Sequence, residues 1–195
     1  MRHAPGACGL RLRLNAPDSR PRSVAVGLLS PQPSRHLEDV LAIYNDAIAN
    51  TNAVYTETLT TLEERKAWLQ ARRDSDLPVL VAKYGEELVG FGSFGPFRPW
   101  PGYARTVEHS VYVRHSDRRR GTGSALVIRL IEEARRRGMR VMIGGIDGSN
   151  AASLALHRKL GFEDAGCLKE VAYKFGKPLD LILLHKRIFP SPAAR

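Results

Sequence analysis

The chain is almost without cysteine. Cys8 and Cys167 are the only two among 195 residues, and neither belongs to a CxxC pair. A disulfide framework and a cysteine-held zinc site are thereby excluded, and the usage fits a reducing cytoplasm. The six histidines show no HExxH or similar spacing, so no metal is expected. Long apolar runs are missing too. Stretches such as "LDLILLH" have strand length, far short of the roughly 20 residues of a membrane span, and no membrane partner is expected. Acidic residues are scarce at the start, where residues 1–35 hold six arginines against one aspartate, half of the formal net charge of +10. That stretch lacks an amphipathic stripe, a signal-peptide apolar core and interleaved aromatics. Residues 1–22 are therefore expected to be a disordered extension rather than a leader or a nucleic-acid arm.

What remains is ordinary for one globular domain, with 43% hydrophobic and 26% charged residues. A single domain is expected over 23–189, followed by a frayed tail over 190–195. "SVAVGLL" (23–29) reads as a first strand. "RHLEDVLAIYNDAIAN" places Leu37, Val40, Leu41, Tyr44, Ala47 and Ile48 on one helical face. Thr61 and Glu64 form a capping box for "LEERKAWLQARRD". "PVLVAKY" and "LVGFGSFGPF" read as strands joined at Gly85, and "RPWPGYAR" as a loop. "TVEHSVYV" alternates, with Val107, His109, Val111 and Val113 on one side and Glu108, Ser110 and Tyr112 on the other. The helix "GSALVIRLIEEARRRG" carries a stripe of Ala125, Leu126, Ile128, Leu130 and Ile131, closed by Gly138. A strand "RVMIGGID", a helix "NAASLALHRKL" started by Asn150, and a last strand "LDLILLHKRI" follow, with one more short strand expected near Phe162 to Leu168. The order β-α-α-β-β-β-α-β-α-β predicts an α/β chain: a mixed sheet with helices on both faces.

The segment "RRRGTGSAL" (118–126) packs arginines and glycines between a strand and a helix. A GxxxxGK[ST] phosphate loop is absent from the chain. A dinucleotide-binding turn needs a third glycine, but that position is Leu126, and residues 114–120 separate the strand from Gly121. A nucleic-acid patch would use the arginines on phosphates, yet no stacking aromatics accompany them. Taken in isolation such a run reads first as a solvated loop with a glycine-assisted helix start, and beside it stands an anion site at a helix N-terminus. In the latter, glycines let backbone N–H groups approach a pyrophosphate.

Here Arg118-x-x-Gly121-x-Gly123 resembles the acyl-CoA motif of the GCN5-related N-acetyltransferases (GNAT). "NAASLALHRKLGF" follows at the expected distance. "IYNDAIANTNAVYTE", "TLEERKAW", "PFR", "TVEHSVYV", "GGIDGSNAASLALHRKLGF" and "YKFGKPLD" are similar to the phosphinothricin and methionine sulfoximine N-acetyltransferases, over about residues 24–188.

The resemblance implies the GNAT acyl-CoA N-acyltransferase fold, acetyl-CoA as co-substrate, a small amino-acid-like amine as acceptor and a homodimer. It implies a pyrophosphate cradle from the backbone of Arg118, Arg119, Arg120, Gly121, Thr122, Gly123 and Ser124. Val111, Tyr112 and Val113 would lie along the pantetheine arm, with an amide near Val113 as oxyanion donor. Glu108 stands where this subfamily carries its general base. His157 holds the position of a superfamily tyrosine, either as acid to the leaving thiolate or as a packed helix histidine. Asn150 and Ser153 would meet the coenzyme, unless Asn150 only caps its helix. Arg98 and Lys174 are candidates for the acceptor's acidic groups, with Tyr103 as a wall. The chain departs from its subfamily at Phe97-Arg98-Pro99-Trp100, at Tyr103-Ala104-Arg105 and at Pro178, so expected basic side chains are missing or displaced. Two other classes stay open: a non-catalytic protein of this fold that binds nucleic acid, and a protein-lysine acetyltransferase.

Overall fold

Thr61 starts a helix by a reciprocal arrangement that needs only four residues. Its hydroxyl accepts from the Glu64 amide at 3.2 Å, and the Glu64 carboxylate accepts from the Thr61 amide at 2.8 Å. This capping box belongs to the second of four helices in a computed structural model that describes residues 23–29 and 34–189. The extension expected over 1–22 and the tail over 190–195 lie outside the described residues.

In chain order the elements are β1 (Ala25–Leu28), α1 (Ser34–Asn50), α2 (Leu62–Asp74), β2 (Val79–Tyr84), β3 (Glu87–Pro96), β4 (Thr106–Val113), α3 (Thr122–Arg136), β5 (Val141–Asp147), α4 (Ala151–Lys159), β6 (Glu163–Lys174) and β7 (Lys177–Arg187). The strands form one sheet in the order β1-β2-β3-β4-β5-β7-β6. Among the described residues only β4 and β5 pair in parallel, across the α3 crossover.

The expected helices on both faces are present. On one face Val40 and Ile43 of α1 pack on Val81 and Phe91. On the other, Leu126 and Leu130 of α3 and Leu154 of α4 pack on Leu80, Ala82, Val107 and Met142. Two stripes shift by a residue. In α1 Ile43 is buried where Leu41 was expected, and in α3 Val127 is buried while Ile128 is 43% exposed. Leu126, Val127, Leu130, Ile131 and Ala134 keep the spacing of one helical face, and position 128 falls off it.

The short strand expected near Phe162 is the larger departure. β6 runs for 12 residues, and its residues from Glu163 to Val171 are all exposed. It is an edge strand with register breaks at Asp164/Gly166 and Leu168/Ala172. With neither face consistently buried it carries no apolar alternation to read.

Candidate active site: a fork in the sheet

β4 and β5 pair only at Thr106↔Val141, Val107↔Met142 and Glu108↔Ile143. Beyond Glu108 the strands part: β4 continues along β3 to Val113, and β5 along β7 to Asp147. The Arg114 amide donates to Val89 on the β3 side at 2.8 Å. By the two-residue alternation of a strand, Val111 and Val113 turn their backbone groups to the opposite side, into the fork. The Val113 carbonyl accepts from Arg118 Nε at 3.2 Å, and the amides of Val111 and Val113 face the opening.

At the wide end of the fork stands the N-terminus of α3. Gly121 is its N-cap at φ +83°, with no side-chain cap, and Arg119 is also left-handed at φ +61°. The first helical bond runs from the Ala125 amide to the Gly121 carbonyl at 3.0 Å. The amides of Thr122, Gly123 and Ser124 therefore carry no backbone partner, and the helix dipole adds to their positive end. The Thr122 side chain is buried 3.4 Å from the Tyr84 hydroxyl, so this residue offers the site its amide alone. Arg118 braces the loop through Val113, and Arg120 pairs with the buried Asp117 at 3.2 Å. Arg119 is exposed at the rim. These residues form a cradle that fits a pyrophosphate.

At the narrow end is Glu108. Its carboxylate reaches over Gly145 of β5, where a Cβ would lie 3.0 Å from Oε1. Burial raises its pKa above the ordinary 4.5, and Arg98 opposes that rise. The same side of β4 opens onto a cavity of about 180 Å³ lined by Glu108, Ser110 and Tyr112, by Arg65 and Trp68 of α2, and by Tyr44 of α1.

The profile of the Acetyltransferase (GNAT) family matches residues 40–162, which include the fork, the cradle and α4. The chain belongs to that family. The L-methionine sulfoximine/L-methionine sulfone acetyltransferase of Pseudomonas paraeruginosa is 46% identical over 159 residues, covering 81% of this chain and 92% of that protein. A ribosomal-protein-alanine N-acetyltransferase from Brucella melitensis superposes with a TM-score of 0.80 at 47% identity, over 84% of this chain and 99% of that one. The structure of yncA from Salmonella typhimurium with its cofactor acetyl-CoA gives 0.81 at 36% identity, over 88% and 96%. The chain is an acetyl-CoA-dependent N-acetyltransferase with the mixed-sheet architecture of its family.

Within this acetyltransferase the expected residues divide. Asn150 caps α4, accepting from the Ser153 amide at 3.1 Å. His157 is 5% exposed and has both ring nitrogens engaged. Its Nδ1 lies 2.7 Å from the Ser153 carbonyl, which can only accept, so Nδ1 carries the hydrogen. Its Nε2 is then the acceptor for the Nε2–H of His109, 3.2 Å away. Burial lowers the pKa of both rings, that of His109 to about 3, which keeps the pair neutral. No ring N–H of His157 is left to protonate a thiolate, so the catalytic expectation for His157 gives way to the packed one.

Lys174 is a second correction. It is 1% exposed, and its ammonium donates to the carbonyls of Ile48, Thr51 and Val54 at 2.6, 2.6 and 2.8 Å. All three donors are engaged in tying β6 to the end of α1 and the segment after it, and none is left for an acidic group of a substrate. Lys174→Met leaves three carbonyls short of a donor and lowers unfolding stability by about 3 kcal/mol or more, measured by denaturant titration. Arg98 and Tyr103 lie outside the cavity lining, with Arg98 close enough to act on the Glu108 charge. Arg98 is exposed with its guanidinium 4.8 Å from the Phe97 ring centre, and Phe97 packs edge-on against Tyr103 at 5.7 Å.

Sequence reasoning missed Arg65, Arg72 and Gly145. The first two were legible in part: Leu62, Arg65, Leu69 and Arg72 share one face of α2, which puts arginine on an apolar stripe. Gly145 carried no signal beyond a glycine pair in a buried strand.

Proposed function

We propose that this acetyltransferase moves the acetyl group of acetyl-CoA to the α-amine of a small amino-acid-like acceptor, of the methionine sulfone or phosphinothricin type. The observation that carries the reading is the position of Glu108 at the apex of the fork, between the cradle side and the cavity. The names of its relatives support it. The pyrophosphate lies on the amides of Thr122 to Ser124, and the pantetheine arm runs along Val111 and Val113 as a missing strand. Glu108 takes the ammonium proton, directly or through water. The amine nitrogen then bonds to the thioester carbon, the carbon–sulfur bond breaks, the nitrogen gives its second proton to solvent, and the thiolate departs. The Val113 amide faces the developing oxyanion, and such a donor is worth roughly 3 kcal/mol in comparable sites. Arg98 and Tyr103 border the acceptor's entrance.

The acetyltransferase acts in the cytoplasm as a homodimer. Leu168, Val171 and Tyr173 on the edge strand β6 are 47%, 51% and 70% exposed and supply an apolar surface for a second copy. A mass of one chain by light scattering at micromolar concentration removes the dimer.

A thiol-release assay with acetyl-CoA tests the reaction across L-methionine sulfone, phosphinothricin, ordinary L-amino acids, an alanine-terminated peptide and a lysine peptide. Release with the first two and none with the peptides is expected. A protein N-terminus as acceptor is the second reading, favoured by the name of the Brucella structure, and release with the alanine peptide alone selects it.

A further inference from the structure

Arg65 is a charged group without an ion-pair partner. It is 7% exposed, its Nε is buried with no hydrogen-bond partner, and among the described residues no carboxylate lies within ion-pair distance, the neighbouring Glu64 acting on it only at longer range. Its compensation is aromatic: the guanidinium lies 4.0 Å from the Tyr44 ring centre and 5.0 Å from that of Trp68. Arg72, two turns along α2, is half-buried and among the described residues donates only to the Phe94 carbonyl, at 3.0 Å. Both line the cavity that Glu108 enters. A buried cation is costly unless an anion or several acceptors meet it. Two guanidiniums that line one cavity, neither held in an ion pair among the described residues, therefore mark a place that a ligand's anion completes.

The position of that place is set by the sheet. Arg72 Nη1 fills the space over Gly95, where any Cβ would collide with it. Gly95 stands directly opposite Glu108 in the β3–β4 ladder. Side chains at such paired positions are about 5 Å apart. An α-amino acid carries its amine and its carboxylate on one carbon, so a single acceptor in this cavity can offer its amine to Glu108 and its carboxylate to the arginines.

Resting on the function proposed above, we infer that Arg65 and Arg72 bind the α-carboxylate of the acceptor and select amino acids over simple amines. This pair takes the place that the sequence suggested for Lys174. It is more buried than Arg98, which is exposed.

The test compares L-methionine sulfone, whose side chain is uncharged, with its primary amide, rates being expressed per neutral amine. In the wild type, kcat/KM favours the acid by about 10- to 100-fold, the range for hydrogen bonds to a charged group. In Arg65→Gln and in Arg72→Gln that ratio falls towards one through a raised KM for the acid, with KM for acetyl-CoA unchanged. Arg65→Lys, which keeps the charge and loses the planar fork, restores part of the ratio. It also serves if the glutamine variant at this buried position does not fold. A ratio that stays at the wild-type value in Arg65→Lys and Arg72→Gln overturns the inference while leaving the acetyl transfer intact. If the wild type acetylates nothing, the functional reading fails. The anion site is then read alone, by Trp68 emission in a Trp100→Phe background titrated with L-methionine sulfone. Saturable quenching that Arg65→Lys and Arg72→Gln weaken supports the site, and no response overturns it.

Discussion

Replacing Glu108 by glutamine lowers kcat by about 10²- to 10⁴-fold, the usual contribution of a positioned general base, and leaves acetyl-CoA affinity unchanged. The isostere preserves the shape that packs over Gly145, so the loss is chemical rather than structural. The pH profile gives the sharper reading. A base works only when deprotonated, so the rate of the wild type falls as pH drops through its pKa. Because burial raises that pKa, the acidic limb lies above the ordinary 4.5. Arg98 opposes the rise, so Arg98→Ala moves the limb to still higher pH. In Glu108→Gln this limb disappears, and the rate follows only the ionisation of the acceptor amine. Wild-type turnover in the glutamine variant, or an unchanged acidic limb, removes Glu108 from the mechanism.

Gly121→Asp weakens acetyl-CoA binding by about 100-fold or more without unfolding the protein. Nothing lies within 4 Å of the Cβ that the substitution adds, so packing is spared. The left-handed φ of +83° costs a side chain roughly 1–2 kcal/mol, and an aspartate at an N-cap offsets part of that by accepting from the free amides of the first turn. The same carboxylate then stands where a pyrophosphate would sit. Like charges about 4 Å apart repel by about 4 kcal/mol near a protein surface. Gly121→Ala carries the conformational cost without the charge, and isothermal titration of the two variants separates the contributions. Equal affinities for acetyl-CoA in the wild type and in Gly121→Asp would take the pyrophosphate away from this loop.

How much of this was legible in the chain varies with how local each cause is. The capping box at Thr61 and the alternation of β4 are written within a few residues, and both stand in the structure. β6 was misjudged because an edge strand need not alternate. The roles of His157 and Lys174 were decided by partners far along the chain: His109 is 48 residues from His157, and Ile48 is 126 from Lys174. A neutral histidine pair and a lysine held by three carbonyls have no local signature, since backbone acceptors are the same at every residue. Arg65 lay between these extremes. Its place on the apolar stripe was visible, but its lack of a carboxylate partner emerges only when the elements around it are assembled.

The fork also bears on how the protein holds together. Three paired residues are the whole ladder between β1–β4 and β5–β7–β6, so the sheet is in effect two half-sheets joined by a short seam. A ligand that lays hydrogen-bonding groups along Val111 and Val113 supplies rungs the polypeptide leaves out, and so acts as a piece of the architecture as well as a reagent. Its free energy of binding is then free energy of folding, about 2.7 kcal/mol at a hundred times its dissociation constant.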